Sequence, residues 1–488
     1  MPNPTVALID QVVVQMYRMG TGDCFVVKFL KQGTVSFKML IDCGCWSGSK
    51  AKLTPYVRRL MAEIDNHVDV LVVTHEHKDH VLGFDQCRDL FTNGNFAAGQ
   101  IWMAWTEDDS EPKIKKWKRE YGQKKRALMD VAERLNHAVR SQTFKNQLAG
   151  AQGESALRER KLAFAEVLQG FADLHGARTY VGALEGMRVV KEEIANNNVS
   201  YFEPGEIKEN IPGLEGVRIY ILGPPKLYEH VKAEKGPAGE AYEHNDDLAD
   251  TEAFAAAVSA ATNPALDVSL PFDKSFISTR REDQAAYRRR NEAWRRIDHD
   301  WLFSAGAFAI RMNSMTNNLS LVLAIEFVDN GKVLLFPGDA EFGSWKSWHT
   351  INWDAQAPGL TTEQLLNRTV FYKVAHHLSH NGTARSIGLD MMTSPDLTAM
   401  ATLDYDVIPN GWKSTMPNVG ILKDLFEKTK GKIVIMNTHG LLFDREAAIP
   451  VDRKLADYRR RMSNAQRVEF NRSLDESSDH FTELTINL

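Results

Sequence analysis

Ten residues near the front of the chain constrain it most: Leu71-Val72-Val73-Thr74-His75-Glu76-His77-Lys78-Asp79-His80. The apolar run 68–73 reads as a buried strand, and it ends directly in His-x-His-x-Asp-His. Alternate side chains of an extended chain share a face, so His75 and His77 can reach one point in space. Imidazole nitrogens suit zinc-like ions, and Asp79 with His80, two and three positions on, can hold a second ion close by. Surface histidines scattered by chance would not put three of the chain's 15 within six residues behind a hydrophobic strand. The pattern is that of a metal site.

The rest of the composition sets limits. A length of 488 residues allows two or three domains, or one domain with large insertions. Hydrophobic content of 43% with 25% charged residues is that of a globular protein, and no apolar run reaches the eighteen or so residues of a membrane span. The first residues lack a basic stretch followed by an apolar one, so the expectation is a cytoplasmic protein with no membrane partner. The cysteines Cys24, Cys43, Cys45 and Cys87 have no matching pair downstream, which favours buried thiols in a reducing compartment over a thiolate metal site. A net charge of −5 argues against a uniformly basic nucleic-acid coat but leaves room for local patches.

Taken in order, residues 11–18, 23–30 and 35–41 read as strands, the last running into Asp42-Cys43-Gly44. The turn holding Gly20 and Gly22 is read as a plain turn rather than a phosphate cradle. A short amphipathic helix is expected at 55–65, then the histidine-bearing strand, then a strand at 98–103. Near residue 104 this compact rhythm stops, giving a division into 1–103 (first part of the core), 104–215 (a mainly helical insertion), 216–225 (a core strand), 226–315 (a second insertion) and 316–488 (second part of the core with a C-terminal extension). The first insertion opens with eight Lys or Arg against one Glu over 113–126, with Trp117 and Tyr121 among them. The second carries seven Arg against three acids over 280–296. A third basic helix is expected over 458–467. Such stretches are either solvated helix faces or surfaces for a nucleic-acid backbone, and helical insertions can equally dock a protein partner. The core resumes with Asn317-Asn318-Leu319-Ser320, a hairpin turning at Asp329-Asn330-Gly331, Pro337-Gly338-Asp339-Ala340-Glu341, and a strand that ends in His376-His377-Leu378-Ser379-His380-Asn381-Gly382.

The His75-x-His77-x-Asp79-His80 element resembles the signature of the metallo-β-lactamase fold hydrolases, and Asp42 sits where that family has a strand ending in Asp-x-Gly. Within the superfamily, Gly338-Asp339 and Lys373 to Ser379 are similar to elements of the DNA-internalisation (competence) hydrolase domains, and the paired histidines are similar to those of bacterial phosphorylcholine esterases. This resemblance implies an αββα sandwich, an α/β fold with two sheets face to face and helices outside, interrupted by the helical insertions. It implies zinc as the cofactor, as one or two ions, with manganese the alternative that the carboxylates allow. The implied ligands are His75, His77, Asp79, His80, Asp339 and His377, with Asp339 able to bridge two ions. Asp79 and His376 become catalytic candidates, His376 as a substrate contact or proton donor. Asp42, Asn318, Ser379 and His380 are supporting or substrate-binding candidates. Two departures stand out: Leu378 replaces a glycine, and the strand end at Gly223-Pro224-Pro225 carries no third histidine to complete a site with His75 and His77.

The expected reaction is phosphodiester hydrolysis by an activated water, in a nuclease or other phosphodiesterase. Hydrolysis at carbon by a lactonase, thioesterase or lactamase on the same scaffold is the alternative. A partner-gated or non-enzymatic subunit is the rival from a different class.

Overall fold

The computed structural model describes residues 8–112, 114–116, 118, 183–195, 198–233, 280, 282, 312–408, 413, 416–444 and 449–488. The basic stretch at 280–296, apart from residues 280 and 282, and most of that at 113–126 fall outside them. The strands in chain order are β1 (Gln11–Tyr17), β2 (Phe25–Lys31), β3 (Thr34–Ile41), β4 (His67–Val72), β5 (Ala97–Ala104), β6 (Ser200–Phe202), β7 (Ile207–Lys208), β8 (Val217–Gly223), β9 (Val322–Phe327), β10 (Val333–Phe336), β11 (Thr369–Lys373), β12 (Thr398–Asp404), β13 (Ile433–Asn437), β14 (Leu442–Asp444), β15 (Ile449–Pro450), β16 (Leu474–Asp475) and β17 (Phe481–Asn487). They form an eight-stranded sheet in the order β16-β17-β1-β2-β3-β4-β5-β6 and a seven-stranded sheet in the order β13-β12-β11-β10-β9-β8-β7, with β14 and β15 as a separate pair.

Side-chain alternation explains why the two sheets stack. Val12, Val14 and Met16 of β1, Phe25, Val27 and Phe29 of β2, and Val70 and Val72 of β4 face Ile219, Ile221, Leu323, Ile325, Leu334 and Phe371 of the second sheet in one buried core. The opposite faces are covered by helices. Leu53, Val57, Leu60 and Ile64 of the helix Lys50–Ile64 pack on Val26, Leu40, Leu71 and Val73. Trp345, Leu365, Ile421 and Leu425, from three helices, pack on Tyr220, Ala324, Leu335, Tyr372 and Ala399 of the second sheet. This is the αββα sandwich of the metallo-β-lactamase type. It also explains the continuous apolar run of β4, since a strand covered on both faces has no polar side to present.

Four details differ from the expectation. The first helix starts at Lys50, capped by Ser49, and carries Pro55 inside it, whereas the proline suggested a later start. The core also resumes before residue 216. β6 pairs with β5 in the first sheet and β7 with β8 in the second, so 200–208 are core rather than insertion. The basic stretch 458–467 is split between two helices, Val451–Arg460 and Asn464–Ser473. Last, the C-terminal extension joins the core, since β17 pairs antiparallel with β1 on one side and with the edge strand β16 on the other.

Strands β3 to β6 run parallel in one sheet and β10 to β13 in the other. Parallel strands send their C-terminal ends to one edge, and the ends of β3, β4, β10 and β11 carry Asp42, the histidine motif, Asp339 and the paired histidines. The site lies there. No described helix is long and apolar enough to cross a membrane.

Candidate metal centre

Asp79, His80, Asp339 and His377 each offer a ligand atom to one buried point, with all four atoms within 4.8 Å of one another. His80 Nε2 stands 3.1 Å from Asp339 Oδ2, His377 Nε2 3.2 Å from the same oxygen and 3.0 Å from Asp79 Oδ2. Asp79 Oδ1, His80 Nε2 and Asp339 Oδ2 are buried and make no hydrogen bond of good geometry. Buried polar atoms are nearly always satisfied, so the unsatisfied His80 Nε2 and Asp339 Oδ2, 3.1 Å apart, fit a cation held between them. Two imidazoles and two carboxylates suit zinc or manganese.

The surroundings fix which nitrogen each histidine presents. Asp42 Oδ2, which can only accept, lies 2.7 Å from His80 Nδ1, so that nitrogen carries the proton and Nε2 keeps its lone pair for the site. Asp42 is itself held by the Thr74 amide (2.8 Å) and hydroxyl (2.6 Å). Thr402 does the same for His377. Its single hydroxyl proton goes to Asp23 Oδ1 at 2.6 Å, so it accepts from His377 Nδ1 at 2.8 Å. Two glycines let the strand ends close on each other. A Cβ on Gly44 would stand 2.2 Å from the Asp79 carbonyl carbon, and Gly338 has φ +58° with Ser320 and Thr74 about it.

The paired histidines lie in an unusual backbone. His376, His377 and Leu378 are consecutive left-handed residues with φ of +46°, +48° and +66°. On an extended strand the two imidazoles would point oppositely. In this turn both stay near the site, but only His377 joins the carboxylates. His376 is held by polar neighbours instead. Asn317 Nδ2 gives one proton to Glu341 Oε1 (2.6 Å) and the other to His376 Nε2 (3.2 Å), leaving the His376 proton on Nδ1, near Asn381 Oδ1 (3.1 Å) and Glu341 Oε1 (3.3 Å). The proton-donor role expected of His376 therefore finds no outward N–H in this arrangement.

His75 and His77 fall in no group of three or more metal-binding side chains among the described residues. His75 Nε2 lies 3.0 Å from His77 Nδ1, and His75 Nδ1 lies 3.2 Å from the Thr74 hydroxyl and 3.3 Å from that of Ser320. His230, buried on the helix Tyr228–Lys232, joins no such group either. His175, His244 and His299 lie outside the described residues. Asn318 does not face the site. Its side chain donates to the Val231 and Ala233 carbonyls and accepts from the Glu341 and Ser344 amides, tying two loops together. Its neighbour Asn317 is the one that reaches His376. Ser379 donates to Asn381 Oδ1 at 3.0 Å and touches the half-buried His380 at 3.5 Å.

Two charged residues absent from the sequence-based candidates stand behind the cluster. Lys373, 1% exposed, donates to Gly338 O (2.8 Å) and Asp339 Oδ1 (3.1 Å) and forms an ion pair with Asp23. Asp23 follows the glycine turn, whose backbone is spent on the protein: the Asp23 amide donates to Asp79 O and the Gly44 amide to Asp23 O. The only signal in the sequence was a lysine at the end of an apolar strand and an acid after Gly22.

The electrostatics of the metal-free cluster follow. Burial disfavours charge on His377, but Asp339 and the hydrogen bonds to Asp339 and Asp79 outweigh it and raise its pKa to about 9. Burial would also raise Asp339, yet His377, His80 and Lys373 hold it well below the usual carboxylate range. Burial lowers His75 and His376, so both are neutral at pH 7.

Two described lysines of the first insertion are paired with acids. Lys118 and Lys191 both donate to Glu107 (2.8 and 3.2 Å) and lie 3.2 Å from Asp109, so the two lysines are neutralised in place. Arg459, in the third basic stretch, is used on the Gly431 and Ile433 carbonyls. All four cysteines are buried free thiols.

The fold is a sandwich of the metallo-β-lactamase type, and the convergent donors could hold a metal ion. Residues 18–154 match the sequence model of the metallo-β-lactamase superfamily, whose members are generally metal-dependent hydrolases. The match takes in Asp23, Asp42, Asp79 and His80, while Asp339, Lys373 and His377 lie outside the matched residues. No curated protein matches the chain.

Proposed function

We propose that this chain is a metal-dependent hydrolase that cleaves phosphodiester bonds. The observation that carries the metal reading is the convergence of Asp79, His80, Asp339 and His377 on one point with buried atoms left unsatisfied. A divalent ion held there supplies Lewis acidity and lowers the pKa of water towards neutrality. The chain's own residues do the rest. Asp42 and Thr402 hold His80 and His377 with Nε2 facing inward, and Asp79 Oδ1 is the carboxylate oxygen left to take a proton from an attacking water. Asn317 and Asn381 hold His376, and Ser379 in turn donates to Asn381, in a polar wall beside the site. The choice of a phosphodiester over a lactone or thioester rests on the resemblance of Gly338-Asp339 and the paired histidines to the DNA-internalisation hydrolase domains and the phosphorylcholine esterases. A nucleic-acid substrate would have to draw on cations other than Lys118 and Lys191.

The test is a substrate panel on protein of known metal content: bis-p-nitrophenyl phosphate, single-stranded DNA, RNA, a cyclic nucleotide and a lactone. Activity on the diesters that is lost on chelation, restored by zinc or manganese and absent from Asp79→Asn supports the reading. Turnover of the lactone alone overturns the substrate class, and protein free of any transition ion overturns the metal centre.

A further inference from the structure

Away from the metal centre, the side of the sandwich where the seven-stranded sheet ends at β13 holds a cavity of about 480 Å3, within the range of about 300–1,000 Å3 usual for ligand pockets. Its floor is the outer edge of β13, and its walls come from the helices Val451–Arg460 and Asn464–Ser473. The Ala399 amide of β12 donates to the Lys432 carbonyl, while Ala399 itself stands opposite Ile433. In a parallel ladder that phase sends the backbone groups of Lys432, Val434 and Met436 to β12 and turns those of Ile433 and Ile435 outward. An open strand edge is a template for one more strand.

Arg459 sets how far such a strand can run. Its Nε and Nη2 donate to the carbonyls of Gly431 (3.1 Å) and Ile433 (3.0 Å), which closes the edge at that end and leaves Ile435 open. The guanidinium lies 5.2 Å from the centre of the Phe470 ring and forms no ion pair among the described residues. Burial pushes its pKa below the ordinary value, offset only by the more distant Glu476. A guanidinium has five N–H donors, and taking its charge out of water is costly unless an anion meets it. Arg467 also lines the cavity and is bonded to Asn464 rather than to a carboxylate. Leu455, Met462 and Phe470 make the walls apolar. The groove thus offers free backbone groups, apolar walls and unmatched positive charge together.

We propose that this groove binds the C-terminal end of an extended peptide from a partner protein, added antiparallel to β13 with its terminal carboxylate on Arg459. Terminus and direction both follow from the edge. A strand paired with Ile435 cannot continue past Ile433, where the guanidinium already holds the backbone, so it ends there. Running parallel to β13, it would bring its N-terminal ammonium against Arg459; running antiparallel, it brings the carboxylate that the arginine lacks. Main-chain bonds to Ile435 then supply affinity, and Leu455, Met462 and Phe470 favour apolar side chains just before the terminus. None of this depends on the metal centre.

Random heptapeptides displayed on phage with a free C-terminus are selected on the immobilised full chain, and an enriched peptide is synthesised both as its acid and as its C-terminal amide. Fluorescence anisotropy should show the amide binding at least about tenfold more weakly than the acid, and Arg459→Gln should weaken the acid by about the same factor while changing the amide little. N-methylation along the peptide should weaken binding at alternate residues only, those whose N–H meets β13. Selection that enriches no sequence overturns the inference, as does an amide that binds as tightly as the acid. So does binding that no N-methyl group disturbs, or a folded Arg459→Gln variant that holds the acid as well as the wild type does. If that variant does not fold, the acid–amide and N-methyl comparisons on the wild-type chain still decide.

Discussion

Leu378 sets two energies against each other at the back of the site. Its φ of +66° is one that an L side chain adopts at a cost of roughly 1–2 kcal/mol, and glycine would remove that cost. Its side chain, however, is fully buried among the helices on the outer face of the second sheet. Truncating such a leucine costs about 2–5 kcal/mol. Packing should therefore win. Leu378→Ala keeps the strained backbone and loses the side chain, so it should lose the full 2–5 kcal/mol or so. Leu378→Gly should recover about 1–2 kcal/mol of that and still be less stable than the wild type. Urea unfolding of the three proteins, with and without bound metal, measures both differences. The glycine variant should also bind metal more weakly, because a looser turn no longer fixes His377 Nε2 against Asp79 and Asp339. A glycine variant as stable as the wild type would refute the packing argument. An alanine variant no less stable than the glycine one would refute the strain argument.

Other outcomes follow from the same geometry. Asp42→Ala removes the acceptor that orients His80 and should weaken metal binding about 10–100-fold, measured by competition with a chromophoric chelator. In metal-free protein His377 titrates near 9, above its ordinary 6.5. Its stabilising contribution is then full below pH 6.5 and lost as pH rises through 9, worth about 3 kcal/mol at ~1.4 kcal/mol per pH unit. Thermal midpoints of chelated protein should fall over that window, and His377→Gln should flatten the fall. A midpoint independent of pH from 6 to 10 would count against the Asp339–His377 pairing. Lys115 and Lys116 are exposed, so replacing both by Glu should flatten the salt dependence of single-stranded DNA binding, by roughly 0.7 for each phosphate no longer neutralised, read by fluorescence anisotropy. Lys118→Glu should instead destabilise the chain, since it would set a third acid against Glu107 and Asp109.

What was legible in the sequence divides along a physical line. Asp79 and His80 could be read because their chemistry is local, with ligand types at fixed spacing after an apolar strand, and Asp42 came with the family resemblance. The covered sheet faces were readable for the same reason, since a strand buried on both sides has no polar positions. Asp23 and Lys373 carry no such mark. Each acquires its meaning from the other, and they meet only when β2 and β11 are brought to one edge of the sandwich. The choice between Asn317 and Asn318 is equally non-local, because the turn before β9 decides which amide faces His376 and which clamps the loops at 231–233 and 341–344. For the paired histidines the resemblance, not strand periodicity, singled out His377, and the backbone is the reason. Strand periodicity assumes negative φ, and a three-residue left-handed turn keeps two neighbouring imidazoles on one side while handing only His377 to the carboxylates. Charge counting decides least. It left 113–126 open between a solvated face and a cationic surface, and Lys118 of that stretch is paired in place by Glu107, an acid that the chain brings to it from the end of β5. A run of like charge in sequence is a statement about composition; whether it is a field in space depends on the acids that folding places against it.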